Sequence, residues 1–278
     1  MRIEGATISL TPLTMGGCVD LATRFVGAHL GPLFRLWLLV TVPTLGLIWG
    51  LHELALLDFW TMLAVVYVAS SPLGVLLGLA AIPTAFGEAI RGPAFRHRLM
   101  SRGPALILRG LWYRLGAAVA GVFCLIPGLW VAVRTGFFVE EACLAQLEEG
   151  NDSGRVRELV QRDFSELMSR CLLLMAYCSV LWIALFATVD TFAGMLFSTP
   201  ILFGRIFTES GFSSMEYAQH LLYRDPRVQM AMAATGLAVY GLGRIAWFFC
   251  YIDLRVRRDL WDIELKLSRE AARLEGTA

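Results

Sequence analysis

The chain has 278 residues, of which 57% are hydrophobic and only 17% charged. Soluble domains carry roughly 45–50% apolar and about 25% charged residues, so the composition excludes an ordinary soluble globular protein. The net charge of +1 gives no electrostatic footprint for nucleic acid, and the length holds five to seven crossings of about 20 residues each.

Residues Met1 to Leu13 lack the charged start, apolar core and small-residue cleavage site of a signal peptide. The first long apolar run is therefore expected to direct insertion itself. Over residues 14–30, Cys18, Leu21, Ala22, Phe25 and Val26 recur at helical spacing, with Asp20, Arg24 and His29 elsewhere. That pattern suits a helix lying at the membrane surface.

The first span is expected over 33–51, with Pro43 kinking its middle, and the second over 59–85. Within the second, Ser70-Ser71-Pro72 offers another kink. Gly74 and Gly78 form a small-residue face on which a neighbouring helix can approach closely. A basic connection follows, with Arg91, Arg96, His97, Arg98, Arg102 and Arg109. It lacks interleaved aromatics and lies between spans, so the positive-inside rule accounts for it better than an RNA patch does. The rule assigns this connection, and with it the N-terminus, to the cytoplasm.

The third and fourth spans are expected over 107–125 and 129–144, turning at Ile126-Pro127-Gly128. A competing reading makes 106–138 one long helix. It would put the basic segment 148–170 and the Arg255-Arg257-Arg258 cluster outside the cell, against the same charge rule, so the hairpin is preferred. Residues 148–169 read as a cytoplasmic surface helix capped by Asp152 or Ser153. The fifth span covers 171–197 and contains Asp190. Residues 198–228 are external or re-entrant. Helix starts fall at Thr199-Pro200 and at Ser213 or Ser214, and Asp225-Pro226 ends the second helix. The sixth span covers 229–252 and contains Arg244. An amphipathic helix over 253–275 then carries Leu260, Ile263, Leu267, Ala271 and Leu274 on one stripe. The fold class is all-α: one integral membrane domain over 1–278, with about six crossings and amphipathic helices on the cytoplasmic side. A hairpin followed by a charged amphipathic segment recurs three times, which fits either an internal duplication or the pattern that any such topology imposes.

Ionisable groups inside a bilayer are costly and face protein or water, so their depths suggest partners. Counted from Pro127, Arg114 lies 13 residues back, and Glu140 and Glu141 lie 13 and 14 on. In an antiparallel hairpin these are level, roughly 20 Å from the turn at 1.5 Å per residue. Arg244 falls at similar depth, with Glu88 and Asp253 just beyond. The expected inner polar cluster is therefore Glu88, Arg114, Glu140, Glu141 and Arg244, with Asp253 at its edge. Arg134 and Asp190 lie nearer the other face and are expected to pair.

No nucleophile elbow, zinc-protease, phosphate-loop or kinase motif is found. Glu140 and Glu141 are adjacent and point about 100° apart on a helix, so they make no acid/base dyad by themselves. The six cysteines (Cys18, Cys124, Cys143, Cys171, Cys178 and Cys250) show no CxxC spacing and read as buried membrane residues. The four histidines are far apart along the chain. No catalytic residue, cofactor or metal is assigned, and the chain reads as a non-enzyme.

Three short motifs carry a resemblance. They are Leu10-Thr11-Pro12-Leu13-Thr14 before the surface helix, Ile126-Pro127-Gly128 with Val133-Arg134, and Tyr251-Ile252-Asp253-Leu254-Arg255 with Trp261-Asp262-Ile263-Glu264-Leu265. Together they resemble a bacterial six-helix membrane protein family that includes the membrane domain fused to some glycerophosphodiester phosphodiesterases. The resemblance implies six helices and cytoplasmic termini. It transfers no catalytic residue, because the phosphodiesterase activity of fused members belongs to a separate soluble barrel.

The expectation is thus a multi-pass protein of a bacterial cytoplasmic (inner) membrane, both termini inside, acting as scaffold or accessory subunit with a buried ion-pair cluster. Its partners would be the lipid bilayer and a protein docked on the cytoplasmic amphipathic helices, with no nucleic acid. The alternative is a transporter or a protein handling lipid or small solutes through the intramembrane polar cluster. A third reading makes Glu140 or Glu141 the acid/base of a membrane-embedded enzyme.

Overall fold

The computed structural model describes residues 13–85, 93–144, 160–198, 200–209 and 214–259. Those residues form ten helices and no strand: α1 (Met15–Ala28), α2 (Leu30–Glu53), α3 (Phe59–Ala85), α4 (Pro93–Phe123), α5 (Leu125–Thr135), α6 (Phe138–Leu144), α7 (Phe164–Phe197), α8 (Phe203–Glu209), α9 (Ser214–Arg224) and α10 (Pro226–Asp259). Five of them, α2, α3, α4, α7 and α10, contain stretches long and apolar enough to cross a membrane. Of those apolar stretches, 67% of α3 and 83% of α10 is buried, against 11% of α4 and of α7, so the latter two turn their apolar residues outward. Leu108, Trp112, Leu115 and Val122 of α4 and Leu172, Val180, Ile183, Phe192 and Met195 of α7 are all exposed. Apolar surface on this scale has no place in water. The chain is an all-α membrane protein.

The helix ends follow from local chemistry. Thr14 caps α1 by accepting the Gly17 amide at 3.3 Å, and Asp58 caps α3 by accepting the Thr61 amide at 2.6 Å. At the end of α2 the amide of Leu56 reaches the Leu51 carbonyl and that of Ala55 reaches His52, the paired bonds of a Schellman motif. Its left-handed position is filled by Ala55, at φ 55°.

Three boundaries differ from the sequence expectation. Helix α4 begins at Pro93, so much of the expected basic connection forms its first turns; α7 begins at Phe164, and α10 runs to Asp259. A helix satisfies its own backbone inside or outside hydrocarbon, so it does not have to stop where charged residues begin. Residues 148–159 of the surface helix expected over 148–169, and the C-terminal stripe from Leu260, lie outside the described residues.

The hairpin also differs in detail. The chain turns at Cys124, whose backbone is extended (φ −164°, ψ 139°), and Pro127 sits in the first turn of α5. First-turn amides have no acceptor within the helix, so the proline costs no bond there. Gly121 faces Gly128, the Tyr113 and Phe138 rings meet at 5.5 Å, and Arg102 donates to the Ala142 carbonyl at 3.4 Å. These pairs bracket Cys124, so the returning arm runs antiparallel to α4. The arm expected as one span over 129–144 is interrupted at Gly136-Phe137 and becomes α5 and α6.

The chain divides into two compact units. The first comprises Met1–Leu33, Gly74–Leu174 and Leu242–Ala278. There α10 is buried continuously from Ile245 to Val256. Phe137 stacks on Trp247 at 4.9 Å, and Phe25 meets Phe249 edge-on at 5.7 Å. Gly78 of α3 faces Val139 so closely that a Cβ there would lie 2.8 Å from a valine methyl, a small residue serving close helix approach.

The second unit comprises Phe34–Leu73 and Met175–Gly241. Ile48, Leu57, Met62 and Ala233 form one core cluster. Phe186, Leu202, Leu221 and Val228 form another. The Trp182 indole N–H donates to the Met232 carbonyl and Thr235 hydroxyl, each at 3.1 Å. Arg205 pairs with Asp225, and the Gln229 amide donates to the Leu222 and Tyr223 carbonyls at 3.2 and 2.9 Å. These contacts fasten α8 and α9 to the start of α10.

Candidate functional site

Two arginine–carboxylate networks lie in the first unit. The first is built on the break between α5 and α6. At Gly136 the backbone slips to a bond spanning three residues, with its amide on the Val133 carbonyl at 3.3 Å. The Gly136 carbonyl accepts Nη1 of Arg244 at 3.3 Å, and Nη2 of the same guanidinium binds Oε2 of Glu140 at 2.7 Å. Arg244 thus stitches the interruption from α10. Glu140 lies in the first turn of α6, where the helix dipole favours its charge. Its side chain is 0% exposed, against 9% for Arg244. Oε1 of Glu140 is buried with no hydrogen-bond partner among the described residues.

The second network surrounds Asp253, whose side chain is also 0% exposed. Oδ2 accepts Arg170 Nη1 at 2.7 Å and Arg257 Nη2 at 3.0 Å; Oδ1 accepts Arg257 Nε at 3.2 Å and the Leu13 amide at 2.5 Å. The Leu13 carbonyl in turn accepts Arg257 Nη2 at 2.6 Å and Arg170 Nη2 at 3.4 Å. Glu166 joins both arginines, at 2.7 Å to Arg170 and 3.1 Å to Arg257. A cavity of about 220 Å³ opens beside them, lined by Asp163, Glu166, Leu167, Arg170, Asp253, Leu254 and Arg257.

Of the residues singled out from sequence, Glu140 and Arg244 come together. Helix α4 presents Tyr113 to α6, and the next residue points about 100° away; Arg114 is half-buried there. Glu141 is half-buried on the neighbouring face of α6, within the electrostatic reach of Arg109. Glu88 lies outside the described residues. Asp253, expected at the edge of the Glu140 cluster, sits nine residues further along α10, roughly 13 Å on, with partners of its own.

Arg134 and Asp190, expected to pair, each make local contacts within their own unit. Asp190 accepts the amides of Ile201, Leu202 and Phe203 at 2.6, 2.9 and 2.7 Å, so both its oxygens are taken by the chain returning into α8. Arg134 lies over the Trp130 ring one turn back, 4.8 Å from its centroid.

Arg170, Glu166, Arg257 and the Leu13 peptide were missed by sequence reasoning. Two local signals were there: Arg257 stands four residues after Asp253 and Arg170 four after Glu166, and i,i+4 neighbours meet on a helix face. Comparison with protein-family models, with curated proteins and with solved structures finds no match.

Proposed function

We propose that the protein is a structural scaffold or accessory subunit of a bacterial cytoplasmic membrane, with no chemistry of its own. In this reading the chain crosses six times with both termini inside. Helices α5 and α6 together form the fourth, interrupted crossing, since some 20 helical residues extend about 30 Å. The observation that carries the reading is that arginines engage the two carboxylates whose side chains are 0% exposed in these networks: Glu140 by Arg244, and Asp253 by Arg170 and Arg257. Pairs satisfied within the protein hold helices in register and leave little for a substrate to bind. The surface helix α1 and the charged ends of α7 and α10 would then be the docking face for a protein partner. The resemblance to the six-helix membrane domain of glycerophosphodiester phosphodiesterases belongs to the same reading.

A second reading, transport or handling of lipid or a small solute, is favoured by one observation: Oε1 of Glu140 is buried without a hydrogen-bond partner among the described residues. The double substitution Glu140→Met with Arg244→Met separates the two. A scaffold keeps its partner and rescues a strain lacking the gene once the variant folds. A transport path through this pair is abolished in a variant that is folded and monodisperse. The topology has its own check. A cysteine at Gln161, introduced in a chain without other cysteines, is expected to react with an impermeant maleimide only after the cells are opened. Reaction in intact cells would reverse the assignment of sides.

A further inference from the structure

Three sulfur atoms meet between α1 and α10. Met15 and Cys18 are three residues apart on α1 and therefore share a face. Cys250 reaches that face from α10: its Sγ hydrogen-bonds Met15 Sδ at 3.6 Å, and its thiol is close enough to that of Cys18 for the two to interact electrostatically. Both cysteines are 0% exposed and carry free thiols, while Met15 is half-buried.

We propose that Met15, Cys18 and Cys250 form a binding site for a soft monovalent metal ion of the copper(I) and silver(I) class. Thiolate and thioether are the ligands that select such ions. Around a three-coordinate ion with metal–sulfur bonds near 2.3 Å, the sulfurs stand about 4 Å apart. The 3.6 Å separation already present between Cys250 and Met15 is within a few tenths of that. Zinc prefers four tetrahedral ligands. The nearby carboxylate that could serve as the fourth, Asp253, is committed to Arg170, Arg257 and the Leu13 amide.

Binding releases two protons to solvent, one from each thiol, with no change of oxidation state. Two thiolates and one monovalent cation leave a single negative charge, and Arg170 acts electrostatically on both thiols to balance it. The half-buried thioether of Met15 is the side from which the ion enters.

The test uses the full chain, purified in detergent under anaerobic reducing conditions, with Cys124, Cys143, Cys171 and Cys178 changed to serine. It is titrated with copper(I) against a chromophoric chelator, and separately with silver(I) and zinc(II). One equivalent of copper(I) is expected, with a thiolate-to-metal charge-transfer band in the ultraviolet. Loss of an outer-shell partner of a metal costs about 10–100-fold in affinity, so Cys18→Ser or Cys250→Ser is expected to exceed ~100-fold and Met15→Leu to cost about tenfold. Met15→Leu keeps the shape of the side chain, and the metal-free thermal transition of each variant separates loss of a ligand from loss of fold. Absence of stoichiometric uptake by the two-cysteine protein would overturn the proposal. So would tighter binding of zinc than of copper(I), or unchanged affinity in folded Cys250→Ser.

Discussion

Glu140 of α6 and Arg244 of α10 meet at 2.7 Å across 104 residues of sequence, with the carboxylate wholly buried. The pair exists because α5 and α6 are interrupted: the same guanidinium that neutralises Glu140 takes the Gly136 carbonyl at the break. One arginine therefore stabilises both a charge and a backbone defect.

Removing one partner of a buried ion pair costs about 3–5 kcal/mol, because the survivor's charge is left in low dielectric, whereas replacing both by apolar residues is often nearly neutral. Arg244→Met and Glu140→Met are each expected to destabilise by that order, and the double variant by much less than the sum. Equilibrium unfolding in mixed detergent micelles, read as a double-mutant cycle, measures the coupling. Simple additivity would show that the pair contributes nothing as a pair.

At the hairpin, a Cβ on Gly128 would lie 2.7 Å from the Gly121 Cα, whereas a Cβ on Gly121 would meet only ordinary contact at 3.9 Å. Backbone cannot move aside as a flexible side chain can. Gly128→Ala is therefore expected to lower the thermal transition clearly, on the order of 1–3 kcal/mol for an overpacked site. Gly121→Ala should have little effect. Equal effects would mean that the two arms are not in the register described.

Ala55 occupies the left-handed position that ends α2, at φ 55°. An L-residue there costs roughly 1–2 kcal/mol that glycine avoids. Glycine also gains backbone freedom in the unfolded chain, which offsets part of this. Ala55→Gly is expected to stabilise by about 0.5–1 kcal/mol, raising the unfolding midpoint in detergent. A lower midpoint would argue against the Schellman ending.

Asp58 is held below the usual aspartate range, chiefly because its carboxylate accepts the Thr61 amide. A depressed folded-state value means that the cap's contribution is fully present above the unfolded value and is lost as pH falls through the folded one. The first turn of α3 is expected to stay protected from hydrogen exchange until the pH drops beneath the ordinary aspartate range, and then to fray. Asp58→Asn, which caps without ionising, should flatten that dependence. An unchanged pH profile in the variant would assign the fraying to another group.

The meeting of Glu140 and Arg244 was legible from residue counts along the helices, and direction around the helices was not. Counting from Pro127 puts Glu140, Arg114 and Arg244 level, but only the packing shows that Tyr113 is the residue of α4 that meets Phe138. The same limit explains Asp190. Its carboxylate is captured by amides 11 to 13 residues on, because closing a short loop costs little entropy. Spans α2 and α3 were readable from their apolar runs. The starts of α4 and α7 were not, because hydropathy reports where hydrocarbon ends and a helix continues past that point.

The clasp on the Leu13 peptide joins residues 240 and 244 positions apart. Asp253 and Arg257 leave the ribosome some 240 residues after the Leu13 peptide that they hold. While everything between them is made, α1 is without this anchor, and it acquires it only when α10 is complete. A chain cut short before α10 would lack the clasp and present a loose α1, a mark by which proteases could tell an unfinished copy from a finished one.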